Sequence, residues 1–179
     1  MADPEGGREA RVLQDADFDG IHPWYGHLRR YLAERAHGKR LAGRRDIDPC
    51  DFVPNLQLIN LVDVVREPDR LRFRFRLVGS AQSDMAGREI TGLFVDDAVL
   101  PQFVDRIVAN MRTVVETGRP VRDRFPMPHP NRDFIDSERV YFPLAADGET
   151  VDMILIACTY PGAERLTPRL PADRKSTSG

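Results

Sequence analysis

His129, with Asp133 and Asp136 close by in the chain, is the one grouping in these 179 residues whose types and spacing suggest acid–base chemistry. An imidazole exchanges a proton near neutral pH, and a carboxylate can orient it. The group sits in the Pro-rich run Pro126-Met-Pro-His-Pro-Asn-Arg-Asp133, and an exposed loop histidine accounts for it without any catalysis. No Gly-x-Ser-x-Gly, phosphate-binding glycine loop or His-Glu-x-x-His pattern occurs. Cys50 and Cys158 are far apart and have no companion at metal-ligand spacing. They are expected to be free thiols, Cys158 buried and inert in its apolar run. Arg72, Arg74 and Arg76 form a row that would suit an anionic ligand or an acidic partner. The same row also fits a solvated sheet face whose long stems cover apolar surface. No catalytic residue and no metal ligand is assigned.

These residues need elements to position them. Trp24, Leu28, Tyr31, Leu32 and Ala36 recur at three- and four-residue spacing, which predicts an amphipathic helix from about Pro23 to His37, ended near Gly38. Its apolar stripe must cover either the domain's own sheet or a second copy of the chain. Residues 38–51 carry Gly, Pro and alternating charge and predict an irregular connector; the acids Asp46, Asp48 and Asp51 offset its four basic residues. Leu56 to Val65 and the alternating Leu71 to Val78 predict a hairpin across Glu67-Pro-Asp-Arg70. Residues 79–93 are too broken by Gly79, Gly87 and Gly92 for more than short helical turns. Leu100, Phe103, Ile107, Met111, Val114 and Val115 predict one long helix between Val99 and Thr117. Three strands follow, over 121–127, 139–145 and 151–160, with Asp147-Gly148 as a turn. Met153 to Cys158 is apolar on both faces and belongs in the middle of a sheet.

The composition is that of an ordinary globular domain: 41% hydrophobic, 30% charged, with a formal net charge of −2. A nucleic-acid binder would carry a concentrated basic excess, which is missing here. No apolar run resembles a signal peptide or a transmembrane helix, so a cytoplasmic protein with no nucleic-acid or membrane partner is expected. Residues 1–17 and 161–179 read as disordered tails around one domain at 18–160, its helix lying within 18–38.

The element order and four segments resemble a small bacterial stand-alone PAS family, PAS family 5. The segments are Arg45-Asp-Ile-Asp-Pro49, Asn55-Leu-Gln-Leu-Ile59, Arg72-Phe-Arg-Phe-Arg-Leu-Val-Gly79 and Gly87-Arg-Glu-Ile-Thr-Gly92. The resemblance covers about residues 22 to 160. It implies an α+β fold: a five-stranded antiparallel sheet flanked by helices, with an N-terminal amphipathic helix. It brings no catalytic or binding residues with it. It does imply a ligand held between sheet and helices, lined by Phe73, Phe75, Leu77, Met85, Ile90, Phe94, Phe103, Ile107, Met111, Phe142 and Ile154. A filled core would use the same residues, and both readings stand at this point.

The cofactors such domains hold leave marks. Haem needs an axial His on or near the long helix, and His22, His27, His37 and His129 all lie elsewhere. A photoreactive flavin needs a Cys after the second strand, where none occurs. No cofactor is assigned, and an unidentified small molecule is the ligand class left open. The expected function is a non-enzymatic sensory or regulatory module that binds a small molecule or a protein partner and signals in trans. A homodimer through Trp24, Leu28, Tyr31 and Leu32 is expected. The alternatives are a cone-shaped α+β enzyme of the ketosteroid-isomerase kind, with His129 and a carboxylate in its cavity, and a ligand-free scaffold.

Overall fold

The computed structural model describes residues 10–53, 55–126, 136–163 and 166–170. In chain order the elements are β1 (Arg11–Val12), α1 (Pro23–Arg35), β2 (Ile59–Arg66), β3 (Leu71–Leu77), α2 (Ser80–Ala86), α3 (Val95–Ala98), α4 (Pro101–Thr117), β4 (Val121–Pro126), β5 (Asp136–Leu144) and β6 (Met153–Thr159). All strand pairs are antiparallel, in the order β1-β4-β5-β6-β2-β3. This is the expected α+β arrangement with one strand added at an edge. Strand β6, apolar on both sides, is central as predicted, and every one of its residues is buried.

Alternation assigns the two faces. Asn60 and Val62 of β2, Phe73 and Phe75 of β3, Asp123 and Phe125 of β4, Ser137, Arg139 and Tyr141 of β5, and Ile154, Ile156 and Cys158 of β6 share one face. Helix α4 packs on this side against β3, β4 and β5. Val140, Phe142, Leu155 and Ala157 face the other way, toward α1. There the Tyr25 hydroxyl donates to the Glu138 carbonyl at 3.0 Å and shares a hydrogen bond with Thr159 at 2.9 Å. The sheet is thus the middle of three layers, which explains why β5 and β6 are buried on both sides.

Helix α1 begins where His22 Nδ1 accepts the Trp24 amide N–H at 3.2 Å and Pro23 fills the first helical position. Its stripe lies in the chain's own core: Trp24 is 1% exposed, Leu28 fully buried, and Tyr31 and Leu32 also buried. These four side chains, expected at a homodimer contact, are thus covered by the domain's own packing. Helix α4 ends at Gly118, whose φ of +61° suits glycine, and the Arg40 guanidinium donates to the Thr117 carbonyl at 2.9 Å there.

Two tail boundaries also differ from expectation. Residues 10–17 belong to the domain: Arg11 and Val12 pair with Arg122 and Val121, Leu13 is buried, and Phe18 stacks on Phe142 at 6.1 Å. At the other end, Asn55 Nδ2 donates to the Arg169 carbonyl at 2.6 Å, and Asn55 Oδ1 accepts its N–H at 2.8 Å. A two-residue strand and a Pro-rich segment held by one asparagine have no periodicity to betray them.

Candidate functional site

Beneath α2–α4, on the inner face of the sheet, lies a partly open cavity of about 50 Å3. Phe75, Ile90, Ile107, Met111, Ala86, Ala98, Val99 and Ile156 form its apolar walls, and Asn60, Gln82, Arg139 and Tyr141 supply its polar atoms. Helix α4 places Ile107 and Met111 one turn apart on its sheet-facing stripe. Strand alternation brings Arg139 and Tyr141 of β5 up from below.

The polar atoms are mostly fixed by neighbours. Asn60 Oδ1 accepts the Gly79 N–H at 2.9 Å, and its Nδ2 faces Cys158 Sγ at 3.6 Å. This grip holds the start of α2 against β2, at a point where Gly79 leaves no room for a side chain: a Cβ would stand 2.3 Å from the Gln57 carbonyl oxygen. Gln82 Oε1 accepts from the Tyr160 hydroxyl at 2.9 Å. Arg139 is buried, donates to Ser137 Oγ at 2.5 Å and lies over the Phe125 ring at 4.2 Å. Asp123 is fully buried, and two Arg106 nitrogens reach it at 2.8 and 2.5 Å, with Asn110 Nδ2 at 2.6 Å. Tyr141 is the exception. Its hydroxyl, next to Asn110, is buried and makes no well-formed hydrogen bond. Burial pushes its pKa well above the usual tyrosine value, so it remains a neutral O–H.

Of the eleven expected lining residues, the structure brings Phe75, Ile90, Ile107 and Met111 together in this cavity. Phe73 and Ile154 are buried on the same face but do not reach it. Phe103 stacks on Phe125 at 5.8 Å instead, and Phe94 lies under the Arg72 guanidinium at 3.6 Å, at the open edge of β3. Phe142 is on the opposite face, where it borders a second cavity with Leu32 and Leu41. Leu77 is 41% exposed: the register slips between Leu61 and Val62, so Leu77 pairs with Leu61 and leaves the face that Phe73 and Phe75 share. The Met85 side chain, His129 and Asp133 lie outside the described residues, while Asp136 pairs with Arg124 at 2.7 Å.

The arginine row is exposed to different degrees and is paired. Arg72 reaches Asp96 at 3.1 Å and Asp97 at 3.6 Å, while Arg74 and Arg76 share Asp63. Its acids come from the hairpin and α3, not from α1 or the connector. Cys158 is buried, which raises its thiol pKa, and Cys50 is exposed. Among the described residues, no three His, Cys, Asp or Glu side chains gather closely enough to hold a metal ion. No helix among them is long and apolar enough to cross a membrane.

The polar floor escaped a search for apolar lining. Its one sequence signal was Arg139, a charge set between Glu138 and the apolar run Val140 to Leu144.

A comparison with curated proteins gives no match. The PAS domain family model matches residues 22–158, spanning α1 to the last strand and so every element that builds the cavity. The chain belongs to the PAS domain family.

Proposed function

We propose that this protein is a non-enzymatic sensory module that binds a small molecule in the cavity under α4 and reports the bound state to a protein partner in trans. The observation that carries this reading is the cavity itself. It is lined by apolar side chains from both the sheet and the helices, with a few polar groups among them. A buried hydroxyl with no good partner is costly to leave unsatisfied, and a ligand or ordered water supplies what Tyr141 lacks.

A protein contact would use side chains that the fold leaves outside. Among the described residues, Val53, Leu56, Leu77 and Leu170 are the exposed large apolar side chains. Val53 and Leu56 belong to the segment before β2, Leu170 adjoins the Arg169 that Asn55 holds, and Leu77 ends the strand that leads into Gly79. Such a cluster favours a partner, either another protein or a second copy, that docks near the β2–β3 end of the sheet.

Native mass spectrometry of the purified protein against its denatured mass tests the reading. Extra small-molecule mass that disappears on denaturation supports the sensor; the bare sequence mass under every purification condition supports a filled-core scaffold instead.

A further inference from the structure

We propose that the second cavity, between α1, the connector and the sheet face opposite α4, binds a neutral apolar molecule about the size of one six-membered ring. It lies across the sheet from the cavity under α4, shares no residue with it, and does not rest on the ligand reading given for it.

Three observations lead there. The first is size. The cavity holds about 150 Å3, against about 50 Å3 under α4, and an apolar cavity of ~150 Å3 admits benzene. It is partly open, so a ligand enters without unfolding the domain.

The second is wall chemistry. Leu32, Leu41, Ala42, Pro120, Phe142 and Pro143 form the walls, and no acid, amide or hydroxyl side chain joins them among the described residues. The two charged residues at its edge are engaged elsewhere: Arg29 pairs with Asp15 at 3.5 Å and lies over the Phe18 ring, and Arg40 donates to the Thr117 carbonyl. A polar ligand would exchange its hydration for apolar side chains that return no hydrogen bond, whereas an apolar one displaces water that these walls hold poorly.

The third is that the walls are held apart. The connector is pinned on one side, where the Leu41 N–H donates to the Gly148 carbonyl at 3.0 Å and the Ala42 carbonyl accepts the Ala145 N–H at 2.9 Å. Gly43 follows, so close to the sheet that a Cβ would stand 3.0 Å from the Ala145 carbonyl oxygen. Leu32 and Phe142 are fixed in the core from α1 and β5. Walls anchored on separate elements do not slide together to close the space, so the site is preformed.

The test is NMR of the full chain with leucine and methionine methyls labelled, titrated with benzene, pyrazine and benzoate. The signals are assigned through Leu32→Ile, Leu41→Ile and Met111→Leu. Benzene and pyrazine share a shape, but the ring nitrogens of pyrazine must be stripped of water. Benzene is expected to shift the Leu32 and Leu41 methyls saturably and to bind at least about tenfold more tightly than pyrazine. Ala33→Leu adds bulk at an exposed helical position lining the cavity, and should weaken benzene by about tenfold without lowering the melting temperature. Equal binding of benzene and pyrazine, or tighter binding of benzoate than of benzene, overturns the neutral apolar class. Undiminished benzene binding by Ala33→Leu, a benzene shift confined to Met111, or leucine signals fixed up to the solubility limit of benzene overturns the site itself.

Discussion

Arg106 on α4 and Asp123 on β4 meet through two guanidinium nitrogens, at 2.8 and 2.5 Å, with Asp123 fully buried. The pair, reinforced by Asn110, ties the middle of α4 to the sheet and so sets the height of Ile107 and Met111 above the cavity floor. Two-point contact gives direction as well as attraction.

Asp123→Ala should therefore destabilise the domain by about 3 kcal/mol, measured as a lower urea midpoint. The loss falls at the low end of the range for a broken buried pair, because Arg106 is about one-third exposed and can turn toward water. An unchanged midpoint would mean that α4 is held by its apolar stripe alone.

Trp24→Ala should cost about 3 kcal/mol or more, since it empties a large site in the core of a domain whose whole stability is roughly 5–15 kcal/mol. Thermal melts read the loss, and light scattering coupled to gel filtration reads the mass. The expected outcome is a much lower melting temperature with the native mass unaltered. A variant that stays folded and halves its mass would instead make α1 an intermolecular contact.

Burial holds the His22 pKa below its usual 6.5, with Glu138 pulling it back up. His27 is lowered likewise, by burial and then Arg30, against Glu34. The unfolded chain thus takes up these protons more readily than the folded one, so stability is full above about pH 6.5 and declines as the pH falls below it. Protonation would also remove the Nδ1 lone pair that accepts the Trp24 N–H. His22→Asn keeps a capping acceptor and should show a smaller drop in melting temperature between pH 7.5 and pH 5 than the native chain. Equal drops would show that His22 carries no part of the dependence.

Much of this architecture was legible in the residues. The stripe from Leu100 to Val115 located α4, and the doubly apolar Met153 to Cys158 located the central strand. The candidate site was legible only in part. Phe75, Ile107 and Met111 follow from periodicity, but Phe142 alternates onto the α1 face, a choice that strand sequence alone leaves open when both faces are covered. Leu77 was lost to a one-residue register slip, which no alternation pattern announces. The α1 stripe was rightly read as needing a cover, yet burial inside the chain and burial against a second copy produce the same spacing. Arg139 and Tyr141 were hidden because their work depends on what lies opposite them.

The most direct test of the central claim is the methyl resonance of Met111, which is buried and borders the cavity. With methionine methyls labelled and Met111 assigned through Met111→Leu, the protein is titrated with propionate, propionamide and 1-propanol. The account predicts a saturable shift of the Met111 signal with at least one of them and no comparable movement of Met153, which is also buried but does not line this cavity. A Met111 signal that stays fixed to saturating concentrations of all three, together with a native mass equal to that of the bare chain, would contradict a ligand site under α4.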